Sequence, residues 1–226
     1  MRRKPPRLSG GTLPDPATSM VAFAHVLNGR PIRSARSELT DLLTPDTELA
    51  AQVEADLDEA IAQAHDRYVE AVRRGDPDSY HRHGLQRVLW QVADTDSAIT
   101  LTAREHAELA AVLRDRMVRD ALFALALGEH AEPAERLWVA LDRALPGSGR
   151  ADAATLLAYS AYVRSDGILA GVALQSALQA DPTHSMAILL ETCLRTGVRP
   201  ETLRRLAHTG SGIAADLGVD LGPIPR

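Results

Sequence analysis

The chain of 226 residues has the composition of a folded protein, with 45% hydrophobic residues, 24% charged residues and a net charge of −5. It has no apolar run long enough to cross a membrane, and its single cysteine, Cys193, excludes an internal disulfide. We therefore expect a cytoplasmic protein with no membrane segment. Aromatic residues make up only 4% of the chain, so alanine and leucine must fill most of the core, which favours closely packed helices.

The first 36 residues are basic, although the chain as a whole is acidic. Residues 1–14 are rich in proline, glycine and arginine without hydrophobic periodicity, which predicts a disordered tail. The basic side chains are candidates for contacts with phosphate groups: Arg2, Arg3, Lys4, Arg7, Arg30, Arg33 and Arg36. Because the rest of the chain is acidic and would repel a polyanion, nucleic acid is not the favoured partner.

Residues 15–93 are predicted to form an N-terminal helical segment. Two short helices come first, over residues 17–27 and 34–43. A long helix then begins at the capping pair Thr44-Pro45 and ends at Gly75, because apolar residues recur between them at spacings of three and four. A further helix starts at Asp76-Pro77 and is expected to bury its apolar residues: Leu85, Val88, Leu89 and Trp90.

Residues 94–210 are predicted to form a helical-repeat-like domain, and residues 211–226 a loose C-terminal tail. The polar stretch 94–100 is a connector. The pattern Thr102-x-x-Glu105 is a capping box that opens a helix. Residues 117–127 are almost wholly apolar, which predicts a central buried helix.

The clearest pattern in the chain is a helical hairpin over residues 151–184. A loop over residues 146–149 is expected to precede it, and Asp152 to cap its first helix. Asp166 follows a break and is the predicted cap of the second helix, which Pro182 ends.

This hairpin resembles a tetratricopeptide repeat, a helix pair of about 34 residues. It departs from the repeat at Ala154 and Ala161, where the family prefers large aromatic residues. The resemblance implies an all-α, solenoid-like array of helical hairpins, in which the helices of residues 185–208 are a degraded second repeat or a cap. The matching positions are Leu157, Ala158, Ala170, Leu174, Ala177 and Pro182.

A wider resemblance covers nearly the whole chain. It rests on LPDPATSMVAFAHVLNGRPIRSARSEL at residues 13–39, LWVALDRALPGSG at residues 137–149, and the run over residues 156–190. These stretches resemble the C-terminal half of an actinobacterial family known only as domain of unknown function 4192. Members usually carry an N-terminal α/β half, which the resemblance implies is missing here. It implies a fold but no activity, because no catalytic residues carry over.

No metal site, cofactor or catalytic residue is predicted from the pattern of polar residues. His81 and His83 are two positions apart on a predicted helix, so they point to different sides and cannot share one ion. Gly147-Ser148-Gly149 has no strand before it and no Lys-Ser or Lys-Thr after it, so it is not a phosphate-binding loop.

The sequence favours a non-enzymatic helical scaffold that binds an unknown protein or peptide, or that self-associates as a homo-oligomer. The candidate contacts are Tyr159, Tyr162 and Trp138, with Trp90 as a fourth aromatic residue. Because aromatic residues at helical spacing are more often core, we expect one or two of the four to be exposed. Two alternatives stay open: a nucleic-acid-associated protein that uses the basic arm, and a regulatory remnant of a larger protein whose active half is missing.

Overall fold

The computed structural model describes residues 36–94 and 101–224, which form ten α-helices and no strand. The predicted all-α class is confirmed, whereas the solenoid-like and tetratricopeptide-like character stays a prediction. The predicted tail 1–14, the helix 17–27 and most of the connector 94–100 lie outside the described residues. The helices are α1 (Arg36–Leu42), α2 (Thr47–Arg73), α3 (Pro77–Asp94), α4 (Ala103–Leu113), α5 (Arg116–Leu122), α6 (Ala131–Ala144), α7 (Gly147–Val163), α8 (Gly167–Ala180), α9 (Ser185–Thr196) and α10 (Pro200–Asp216).

Helix α7 lies at the centre of the fold. Every residue from Ala151 to Val163 is buried, and a helix that is buried on all sides is surrounded by other elements. Helices α6 and α8 pack along it, and the segment Phe123–Ala126 together with α4, α9 and α10 also packs against it. The prediction of one central helix over residues 117–127 is wrong, because α5 ends at Leu122 and a 3₁₀ turn over Phe123–Ala126 follows.

Two predicted capping motifs are confirmed in the structure. Thr102 and Glu105 form a reciprocal capping box at the start of α4, and the side chain of Asp166 accepts the N–H of Leu169 at 3.0 Å in α8. The start of α2 differs, because Asp46 caps it by accepting the N–H of Leu49 at 3.0 Å. Thr44 lies before this cap.

The region before the hairpin differs from its prediction. Residues 147–149 are the first turn of α7 and not a loop, with Gly147 at a φ of 50° where the chain enters the helix. Asp152 is therefore inside the helix and buried, so it does not cap it.

The C-terminal residues are packed, in contrast to the predicted loose tail. Helix α10 continues through Gly210 to Asp216, and the apolar residues that follow are buried up to Leu221. The Nε of Arg82 in α3 donates to the carbonyl oxygen of Leu217 at 2.6 Å, which caps the C-terminal end of α10. Contacts with α3 and α5 therefore stabilise α10 as a helix through Gly210 and Gly212, two residues of low helix propensity.

One hydrophobic core extends from Leu39 in α1 to Leu221 after α10. This core contains residues from the predicted segments 15–93, 94–210 and 211–226. It is therefore continuous across the predicted boundary at residue 94. None of the helices in the described ranges is both long and apolar enough to cross a membrane.

Candidate functional site

The three aromatic residues predicted to contact a partner are buried, and that prediction is wrong. Trp138 and Tyr159 are 0% exposed and Tyr162 is 4% exposed. The hydroxyl of Tyr162 donates to the carbonyl oxygen of Val198 at 2.9 Å, so it is used inside the fold. Their helices, α6 and α7, turn these side chains toward the core.

The hydroxyl of Tyr159 bridges two backbone groups of α10. It donates to the carbonyl oxygen of Leu203 at 2.9 Å and accepts the N–H of Ala207 at 3.0 Å. In a regular α-helix, this N–H would donate directly to this carbonyl oxygen, because the two residues are four positions apart. The hydroxyl of Tyr159 lies between the two groups and replaces that direct hydrogen bond. Burial raises the pKa of Tyr159 well above its ordinary value, which keeps the hydroxyl protonated as a donor.

We expect Tyr159→Phe to lower the free energy of unfolding by about 1–3 kcal/mol, because it leaves two buried backbone groups without their partner. Urea unfolding measures this difference. Tyr68→Phe is the matched control, because Tyr68 is 40% exposed, and its effect is expected to stay within about 0.5 kcal/mol. Equal stabilities of the two variants would show that α10 closes its own hydrogen bond.

Only one of the seven basic residues predicted to contact phosphate lies in the described ranges. Arg36 is exposed at the start of α1, and its Nη2 donates to Oε1 of Gln175 in α8 at 3.0 Å. The other six lie outside the described residues: Arg2, Arg3, Lys4, Arg7, Arg30 and Arg33. The phosphate-binding arm therefore stays a prediction.

Two buried polar clusters join helices in the core, and the sequence did not reveal either. In the first, Ser176 donates to Oδ1 of Asp142 at 2.7 Å, and Nε of Arg150 lies 3.3 Å from the same oxygen. Burial raises the pKa of Asp142 despite these partners. In the second, Asp152 contacts Arg119 and His184. Both clusters lie between packed helices, so they stabilise the fold and offer no cleft for a substrate.

A groove of about 710 Å³ lies between α2, α3 and the junction of α4 and α5. Its volume falls within the range of about 300–1,000 Å³ that is usual for ligand sites. The residues that line it are Asp66, Arg67, Glu70, Ala71, Arg74, Ser79, Tyr80, His83, Gly84, Arg87, Val112, Asp115 and Val118. We take this groove as the candidate functional site.

The floor of the groove is apolar and depends on Gly84. A Cβ atom at this position would lie 3.2 Å from Cγ2 of Val118 and 3.5 Å from Cγ1 of Val112. The missing side chain therefore lets α3 approach the junction of α4 and α5 closely. With Ala71 on the facing helix, these small and branched residues form a floor without charges.

The walls of the groove carry charges of both signs, and most of them are paired. Glu70 and Arg74 form an ion pair of 2.8 Å between Oε1 and Nε, and Arg87 pairs with Glu108. Within the described part of the chain, Asp66 and Arg67 form no ion pair. One cation and one anion of the groove are therefore available to a ligand.

Asp115 holds the groove in shape at the junction of α4 and α5. Its Oδ1 caps α5 by accepting the N–H groups of Met117 at 2.9 Å and Val118 at 3.1 Å. Its Oδ2 lies 2.9 Å from Nδ1 of His81 in α3. His81 and His83, which are predicted from the sequence to point to different sides of this helix, are separated in the structure: His83 lines the groove, whereas His81 does not.

Tyr80 is the aromatic residue that lines the groove. Burial, together with the negative charge of Asp115, raises the pKa of Tyr80 above its ordinary value, so its hydroxyl remains a donor at neutral pH. The ring packs edge-on against Tyr68 of α2, with centroids 5.4 Å apart.

Trp90 is the exposed aromatic residue of the four candidates. It is 77% exposed on α3, one turn beyond Arg87, so the prediction of its burial is wrong. The buried face of α3 is formed by Leu85, Val88 and Val92, whose spacing of three and four leaves position 90 pointing outward. This spacing is the signal that identifies Trp90 from the sequence.

A second cavity of about 300 Å³ lies between the start of α2, the end of α3 and α6. His106 lines it, donates from Nδ1 to the carbonyl oxygen of Thr102 at 2.9 Å, and has a pKa lowered by burial. Asp94 and Leu101, which also line it, border residues 95–100, outside the described ranges. No three His, Cys, Asp or Glu side chains meet as a metal site within residues 36–94 and 101–224.

Comparison with known proteins gives a family but no characterised relative. No curated protein matches the chain, and no solved structure matches it. A family model described as "Domain of unknown function (DUF4192)" matches residues 6–201, which is most of the chain. The chain therefore belongs to the DUF4192 family.

Proposed function

We propose that this chain is a non-enzymatic binding module whose groove between α2 and α3 accepts a segment of another protein. The observation that carries the proposal is the groove itself, with an apolar floor and walls of both charges. An exposed tryptophan, Trp90, lies one turn of α3 beyond Arg87 of its lining. A cytoplasmic location suits the module, because Cys193 is a free thiol that a reducing compartment preserves.

The chemistry of the groove favours binding over catalysis. The Glu70 carboxylate pairs with Arg74, and Asp115 accepts N–H groups at the start of α5 and lies beside His81. Such groups orient a ligand, whereas a general acid or base needs a free proton-transfer position beside the reacting atoms. The proposal therefore assigns no reaction to this site.

The lining indicates a peptide segment as the ligand. Apolar side chains of such a segment cover the floor formed by Ala71, Gly84 and Val118, while its polar groups meet Asp66 and Arg67. Trp90 supplies a large, rigid contact area, and tryptophan is enriched among residues that dominate binding energy. In this proposal the α7–α8 hairpin acts as a tetratricopeptide-like packing unit that supports the binding helices.

Site-specific photo-crosslinking tests the proposal. A photoreactive amino acid replaces His83, which is exposed and lines the groove, and in a control protein it replaces Arg205, which is exposed on α10. We expect a discrete crosslinked polypeptide from position 83 only, and its loss when Trp90→Ala is added. Because Trp90 is exposed, this substitution is expected to change the free energy of unfolding by less than about 0.5 kcal/mol.

Two results would contradict the proposal. Crosslinking of the same polypeptide from positions 83 and 205 would show that its capture does not depend on the groove. Capture at position 83 that is unchanged by both Trp90→Ala and Arg67→Glu would show that the proposed contacts do not bind it. Circular dichroism of each variant establishes that the fold is intact.

A further inference from the structure

Helix α9 is only partly covered by the rest of the fold. It packs on α8 and α7, and within it only Ala187 and Leu190 are fully buried. On its outer side, Ile188 is 43% exposed and Leu189 is 50% exposed. Two adjacent aliphatic side chains are thus left in contact with water near the middle of a helix.

The same outer side carries two opposite charges. Glu191 and Arg195 are exposed, one turn apart, and lie toward the same side as Ile188. Neither forms an ion pair in the described part of the chain. The surface therefore combines aliphatic side chains with one acidic and one basic group that are both free to bind elsewhere.

We propose that this face is a self-complementary interface through which α9 packs antiparallel against α9 of a second copy of the chain. A two-fold axis near Thr192 reverses the second helix, so each Glu191 lies within about one turn of the partner's Arg195. The same pairing lays Ile188 along the aliphatic stem of that arginine. The charge pattern thus specifies a second copy in opposite orientation, because a parallel copy would set like charges together.

The inner side of α9 is held against α8 by Leu194. Leu194 of α9 lies over Gly167 and Gly171 of α8, with its Cδ atoms 3.8 and 3.7 Å from the positions of their missing Cβ atoms. Ile168, next to Gly167 at the start of α8, is 51% exposed. A helix of 12 residues is about 18 Å long, so the interface between two such helices is small. We expect its dissociation constant to be on the order of 10–100 µM.

Charge exchange tests this pairing. Sedimentation equilibrium of the full chain over about 5 to 500 µM is expected to show a monomer–dimer equilibrium. Glu191→Arg sets arginine against arginine in the dimer, and Arg195→Glu sets glutamate against glutamate. Each variant alone is expected to raise the dissociation constant at least about tenfold. An equimolar mixture of the two restores the wild-type value, because both contacts in the mixed dimer are then of opposite charge.

A matched pair on α10 serves as the control. Glu201 and Arg205 are also exposed and one turn apart, and their exchanged variants are expected to leave the dissociation constant unchanged. A wild-type chain that stays monomeric at the highest concentration overturns the proposal. Undiminished dimerisation of both α9 variants, or a mixture that does not recover, overturns it as well. The proposal is independent of the groove, so Trp90→Ala is expected to leave dimerisation intact.

Discussion

Gly210→Ala is expected to lower the free energy of unfolding by about 3 kcal/mol, although alanine is the better helix former. Gly210 lies in α10 where this helix crosses α5. A Cβ atom there would lie 2.7 Å from the carbonyl oxygen of Asp120 and 2.8 Å from that of Ala121. Because both contacts are with backbone atoms, relief requires α10 to move away from α5, which opens the core around Ala207 and Ala214.

Gly212→Ala is the control for this prediction, because it changes the same residue type in the same helix. Apart from the local backbone of α10 itself, no heavy atom of the described residues lies within 4 Å of its missing Cβ, so alanine is expected to stabilise the protein by about 0.5–1 kcal/mol. Urea unfolding of the two variants measures the opposite signs. A Gly210→Ala protein as stable as Gly212→Ala would show that α10 lies farther from α5 than the structure indicates.

Asp152→Ala is expected to cost about 3–5 kcal/mol, because it removes the anion of a buried ionic cluster. Asp152 is 3% exposed, and its Oδ1 contacts Arg119 of α5 and lies 2.9 Å from Nε2 of His184. His184 caps α9 by accepting the N–H of Ala187 on Nδ1 at 3.2 Å. The carboxylate therefore fixes the imidazole with its proton on Nε2, so its loss also weakens the start of α9.

Asp152→Asn separates the charge of this residue from its shape. The amide keeps an acceptor oxygen for His184 but no negative charge for Arg119, so we expect an intermediate loss of about 1–2 kcal/mol. Asp58→Ala, on the exposed side of α2, is the control and is expected to stay within about 0.5 kcal/mol. Denaturant titration at neutral pH checks the order of the three variants, and an Asp152→Ala protein as stable as the control would contradict it.

The elements that depend on local chemistry were predictable from the sequence. The capping box of Thr102 and Glu105, the cap at Asp166 and the helix end at Gly75 follow from hydrogen bonds between near neighbours. The start of α7 and the length of α10 were not predictable in this way. In both regions the sequence contains glycine, which is usually taken as the signal for a helix end. Gly149 and Gly210 are instead inside helices, at positions where neighbouring elements approach the backbone closely.

The candidate site was less accessible to sequence reasoning than the fold. Tyr159 and Tyr162 belong to a helix that is buried all round, and a helical stripe cannot show whether the opposite face is also covered. The groove brings Arg67 together with Val112 and Asp115, which lie more than 40 residues later in the chain. Its charged residues have the pattern of an ordinary solvated face, so only tertiary packing reveals that they line a cleft.

The burial of α7 from Ala151 to Val163 makes the described core hard to divide. A fragment that lacks α6 or α8 would leave a side of α7 in water, and a largely apolar helix side becomes an aggregation surface when its cover is removed. The helices around it therefore depend on one another for solubility as well as for stability. Detachment of any one of these helices exposes the buried side chains of α7 to water. This shared dependence favours unfolding of the described residues as a single cooperative unit.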